Sequence, residues 1–108
     1  MSADQTVIVL TTWPASGDPS PMAEALVEER LAACVSVSGE IRSTYRWQDR
    51  LEQADERQVI IKTVAGRVDA LKARLASLHP YDVPECLVIE TSGGSDAYLD
   101  WVRQSTLA

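Results

Sequence analysis

Cysteine and histidine are nearly missing from this 108-residue chain, which has two of the first, Cys34 and Cys86, and one of the second, His79. Two thiols so far apart in sequence do not make a disulfide framework. There is no C-x-x-C spacing and no second histidine a few residues from the first, so no zinc template is present. Basic residues are also scarce: ten Lys and Arg against sixteen Asp and Glu give a net charge of -6. A duplex-binding protein displaces counterions with a basic stripe, and this chain has none. The same deficit disfavours anionic membranes, and no apolar run reaches membrane-spanning length. The opening MSADQTVIVL lacks the basic segment of a secretory signal. No nucleophile elbow, phosphate-binding glycine loop or metal-hydrolase motif occurs. These absences lead us to expect a cytoplasmic protein with free thiols, without nucleic-acid or membrane partners and without catalytic activity.

What is present suits one domain over residues 1–108, since 45% of the residues are hydrophobic and a chain of this length buries about two-thirds of its unfolded surface. Thr6–Thr12 carries four consecutive apolar residues, too few for a typical helix, and reads as a strand buried on both faces. The proline-rich WPASGDPSP is a loop. Pro21–Ala33 reads as a helix capped by Ser20, with Pro21 in its first turn. Cys34–Gln48 alternates, with Val35, Val37, Gly39, Ile41, Ser43, Tyr45 and Trp47 on one parity. That predicts a long strand with one buried face, bent at Gly39. DRLEQ turns the chain, with the hairpin tip near Asp49, and Glu56–Val64 returns as a strand. In Arg67–Leu78, Val68, Leu71, Leu75 and Leu78 share one helical face, and Pro80 stops that helix at His79. Leu87–Thr91 is a further strand. Ala97–Ser105 is a short helix capped by Ser95.

The order β-α-β-β-α-β followed by a helix is the α+β, ferredoxin-like pattern. Right-handed crossovers are expected to set the first and third strands side by side and parallel, in the spatial order 4-1-3-2, with both main helices on one face. The other face is left bare. The hairpin outruns the helices and carries Tyr45, Trp47 and Leu51 near its tip. Large apolar surfaces imply partners, and a symmetric ring of copies covers both features at once.

The chemistry-bearing residues gather in Ser77–Glu90, SLHPYDVPECLVIE. His79 is open to two readings, a ligand or general base and an imidazole bonding the last carbonyls of its helix. Cys34 and Cys86 are soft ligands in principle, but small buried side chains at strand starts account for both. Each opens an edge strand with two strands between them, so they lie roughly 14 Å apart within a protomer, beyond disulfide reach. Glu56 and Lys62 share a strand parity, yet six residues of strand span about 20 Å. Each therefore needs another segment or another chain as its partner, with salt bridges at an interface between copies as the structural reading. Tyr81 packs on the sheet or joins the polar set of Asp82 and Glu85. Trp13, Trp47 and Trp101 read as core and interface packing rather than a ligand cage.

Several spaced motifs resemble the CutA divalent-ion-tolerance proteins. They run from Leu31–Cys34 (LAAC) through Gly39, Ser43 with Tyr45 and Trp47, and Glu56 with Lys62 and Thr63, to His79–Glu85 (HPYDVPE). The likeness extends from about Val7 to Val102. Gln48-Asp49-Arg50 departs from the family's E-G-K turn, and Arg46 replaces an aromatic residue. Thr11 and Arg74 stand where some relatives have cysteines implicated in copper binding, which argues against copper there. The resemblance implies a homotrimer with a ferredoxin-like protomer, similar to the PII signalling proteins, and an association with tolerance to divalent cations such as copper. It implies no settled activity. A metal- or ligand-responsive binding protein and an adaptor trimer for another protein both remain open.

On this basis His79, with Glu85 or Glu56 and a thiol such as Cys34, is expected to form a weak divalent-metal or small-ligand site between protomers. Such a set suits Cu²⁺ better than magnesium or calcium, and no organic cofactor is expected. Binding should weaken as the imidazole protonates. Lys62, Tyr45, Trp47 and Tyr81 are expected to serve the site or the interface.

Overall fold

The computed structural model describes residues 2–107. The elements follow the expected order: β1 (Thr6–Pro14), α1 (Ser20–Glu28), β2 (Cys34–Trp47), β3 (Arg50–Val64), α2 (Val68–Leu78), β4 (Leu87–Glu90) and α3 (Asp96–Ser105). A 3-10 turn, Ala65–Arg67, leads into α2. The sheet order is β2-β3-β1-β4, the ferredoxin-like arrangement.

One topological expectation is corrected. β1 and β3 are neighbours, but antiparallel. The crossover through α1 makes β1 parallel to β2, and the hairpin then reverses β3 before it inserts between them. β1 also pairs antiparallel with β4.

Two local features differ from the sequence reading for reasons of backbone chemistry. Helix α1 ends at Glu28, five residues before Ala33. Arg30 takes φ 60, its amide donates to the Val27 carbonyl, and the Leu31 amide donates to Leu26. This is a Schellman stop, with Leu31 folding back towards Leu26 in the core. Arginine occupies the left-handed position that glycine usually marks, so the stop carried no sequence signal. At the other end of α1, Ser20 makes no capping bond; its own amide donates to Asp18 Oδ1 at 3.0 Å.

The second feature is a bulge. Val37 pairs with Val59, but the next pair is Glu40 with Arg57, so Ser38 and Gly39 together face Gln58. The Gln58 amide donates to Ser38 Oγ at 2.8 Å and fastens the irregularity. An inserted residue reverses the alternation. Val35 and Val37 therefore share a face with the buried Val59 and Ile61, whereas Ile41, Tyr45 and Trp47 lie on the opposite face with Glu56. The single buried face expected along β2 is thus two half-faces.

Val9, Trp13, Met22, Leu26, Leu31, Val59, Ile61, Leu71 and Leu75 form the core between the sheet and α1 and α2. On the opposite face of β1, Ile8 and Leu10 are only half-buried, so β1 is not buried on both sides. That face is covered at one end by α3, whose Val102 packs with Ala33 and Val64. β3 begins at Arg50, earlier than expected, because Gln48 and Asp49 alone make the turn, at φ 50 and 63. Both central residues at positive φ define the hairpin turn that glycine or asparagine normally favours. With 14 residues, β2 extends roughly 46 Å, while the 11-residue α2 reaches roughly 16 Å. The surplus is an arm, residues 41–55, that projects beyond the end of β1.

Candidate functional site at the root of the arm

The segment after α2 does not cap that helix through its side chain. His79 instead reaches β1, with Nε2 at 2.6 Å from the Thr12 carbonyl oxygen, while Nδ1 lies 3.1 Å from the Tyr81 amide nitrogen. A carbonyl only accepts and an amide N–H only donates, so Nε2 carries the proton and Nδ1 accepts. Both ring nitrogens are committed. Thr12 lies on the stretch of β1 that β4, pairing only with Val7 to Leu10, leaves uncovered. The imidazole ties the segment to that stretch, packed between Trp13 and Tyr81 at centroid distances of 4.6 and 4.9 Å.

Glu56, on the first stretch of β3 beyond the helices, is the second anchor. It is only 6% exposed. Its Oε2 accepts from the Tyr81 hydroxyl at 2.9 Å and from Thr12 Oγ1 at 3.1 Å. Thr12, His79, Tyr81 and Glu56 thus form one closed network that joins β1, β3 and the 79–85 segment. Pro80 and Pro84 stiffen that segment, so it holds its side chains at little ordering cost. Sequence reasoning did not single out Thr12; its only mark is a hydroxyl next to Trp13 at the end of an apolar strand.

Burial pushes the Tyr81 phenol up to about 12, and its hydrogen bond to Glu56 adds to the effect. The fold therefore prefers the neutral phenol. That preference is fully present below about pH 10, where free tyrosine stays neutral, and is lost as pH rises through about 12. Of the three tyrosines, one should ionise late in an absorbance titration of tyrosinate, and Tyr81→Phe should abolish the late phase. A late phase that survives the substitution would refute the assignment.

The network borders a cavity of about 790 Å³ between the arm and the 79–85 segment. Tyr45, Trp47, Glu56, Tyr81, Asp82 and Glu85 are in its wall, and no lysine or arginine is among its lining residues. Of the residues expected to act together, Glu56, Glu85, Tyr81, Tyr45 and Trp47 meet here, and His79 supports the wall from behind. Cys34 does not join them. It pairs across the sheet with Lys62, six residues along β3 from Glu56, about 20 Å away. Lys62 sits under α3 with its ammonium 5.6 Å from the Tyr98 ring. Another segment, rather than a salt bridge, satisfies both Glu56 and Lys62 within the chain. The four expected metal ligands do not converge in one protomer, and among the described residues no three His, Cys, Asp or Glu side chains form a cation's cage. Cys34 and Cys86 are both free, and burial pushes the Cys86 thiol up.

A four-stranded antiparallel sheet with two helices on one face, a third helix at one end of the other and a projecting arm defines a ferredoxin-like α+β protein. The chain belongs to the family of CutA1 divalent ion tolerance proteins, whose pattern matches residues 7–105. It is 41% identical over 99 residues to a divalent-cation tolerance protein CutA of Thermus thermophilus, covering 92% of this chain and 96% of that one. It is 40% identical over 95 residues to the human protein CutA, covering 88% of this chain but only 53% of that longer one. The crystal structure of the Thermus thermophilus protein superposes with a TM-score of 0.90 at 40% identity, covering 94% of this chain and 98% of that one. A CutA1 from the psychrotrophic Shewanella sp. SIB1 gives 0.91 at 31% identity, covering 96% and 97%.

Proposed function

We propose that this protein is a homotrimeric, non-catalytic binding protein of divalent-cation tolerance, and that the cavity at the root of the arm is where it meets its cationic ligand. The observation that carries the reading is the one-signed wall: Glu56, Asp82 and Glu85 face the cavity without a lysine or arginine among its lining residues. A carboxylate-lined concavity concentrates cations. Copper or another divalent cation is drawn to it weakly, because the dispersed carboxylates attract an ion without chelating it and His79 has no free lone pair. Assembly follows from surface. The arm exposes Tyr45, Trp47 and Leu51, and the edge strand β4 exposes Leu87, Val88 and Ile89. A head-to-tail ring of copies covers both at once. The two free thiols suit a reducing compartment such as the cytoplasm.

Light scattering should report three times the 11.8 kDa chain mass. Calorimetric titration with Cu²⁺ should show weak binding that Cys34→Ser leaves unchanged and Glu56→Gln reduces. A monomer, or tight copper binding that depends on Cys34, would overturn the reading. The adaptor role for another protein is favoured instead if the trimer forms and no cation binds.

A further inference from the structure

The cavity is aromatic as well as acidic, and its deepest carboxylate is half used. The hydrogen bonds of Glu56 both end on Oε2. Oε1 accepts none from the described residues, although the residue is only 6% exposed. No fully buried side-chain oxygen or nitrogen among the described residues lacks a partner. Oε1 is therefore reached from the cavity that Glu56 lines. It is an anchored acceptor, pre-aimed by the Thr12 and Tyr81 hydroxyls, facing space that a ligand can fill.

Tyr45 and Tyr81 stand in the same wall, and Asp82 and Glu85 lie at its exposed rim. Aromatic faces attract cations, and more strongly as water is excluded. A bare metal ion gains little from them and wants several converging oxygens, which this wall does not offer. An organic ammonium suits all of these features: N–H donors for Oε1, an alkyl body against the tyrosine rings, and a second positive end for the rim carboxylates. The volume of about 790 Å³ is within the usual range for small-molecule sites. We infer that the cavity binds an alkyl diamine, with one ammonium on Glu56 Oε1 between Tyr45 and Tyr81 and the other towards Asp82 and Glu85. This rests on the reading of the cavity as the cation site and names the ligand class.

The probe is 1,4-diaminobutane, titrated calorimetrically into the assembled protein, with sodium chloride at matched ionic strength as the reference. Binding above the sodium reference is expected. Glu56→Gln, which keeps an acceptor for Thr12 and Tyr81, should weaken it about tenfold or more, the loss of a charge-assisted hydrogen bond. Tyr45→Ala lies on the exposed arm and leaves the core intact; it should weaken binding about two- to fivefold. Diaminobutane no better than sodium, or affinity indifferent to both substitutions, overturns the inference. If Cu²⁺ still binds weakly and loses affinity in Glu56→Gln while diaminobutane does not bind, the ammonium assignment alone falls. If neither binds, the cavity reading falls with it.

Discussion

His79→Ala is expected to destabilise the protein by about 2–4 kcal/mol, as truncation of a buried ring with two hydrogen bonds does. The imidazole is 8% exposed. Its removal strands the Thr12 carbonyl and the Tyr81 amide and opens a void between Trp13 and Tyr81. The loss should appear in the denaturation midpoint. His79→Gln, whose amide nitrogen can still donate to Thr12, should recover part of it. Weak cation binding measured on the folded variant should change little, because neither ring nitrogen faces outward with a free lone pair. A variant as stable as the parent, or one that stays stable but loses copper binding outright, would show that His79 is a ligand rather than a tie.

Trp47→Ala should shift the concentration at which the trimer falls apart. The ring is 46% exposed near the tip of the arm, where a single chain offers it no core. An interface anchor of this kind contributes about 2 kcal/mol or more. A trimer loses three such anchors, about 6 kcal/mol in all, so the dissociation constant rises by about four powers of ten. Because that constant scales with the square of the midpoint concentration, the midpoint should rise about 100-fold. Sedimentation over a dilution series would measure it, with the far-ultraviolet spectrum unchanged. An unmoved midpoint would remove the arm from the interface.

The element order needed nothing beyond the chain. Alternation in β2, the three- and four-residue apolar steps of α2 and the prolines at 80 and 84 are local patterns with local causes, and handedness then leaves few topologies. The spaced motifs around Tyr45, Trp47, Glu56 and His79–Glu85 also pointed to the right family and brought most of the site's residues into view. Three things were beyond the sequence. The left-handed Arg30 and the bulge at Ser38-Gly39 carry no distinctive residue pattern, yet one shortens α1 and the other sends Ile41, Tyr45 and Trp47 to the face opposite Val35 and Val37. The sense of the β1–β3 pairing follows from the hairpin's reversal in three dimensions. Most of all, the role of His79 depended on what lay across from it. Hydrogen bonds to Thr12, 67 positions away, and to the Tyr81 amide consume both nitrogens. An isolated imidazole in a sequence is equally a ligand, a base or a cap. Only the partners that folding brings within 3 Å or so decide among them, because a lone pair already accepting a hydrogen bond is not available to a metal.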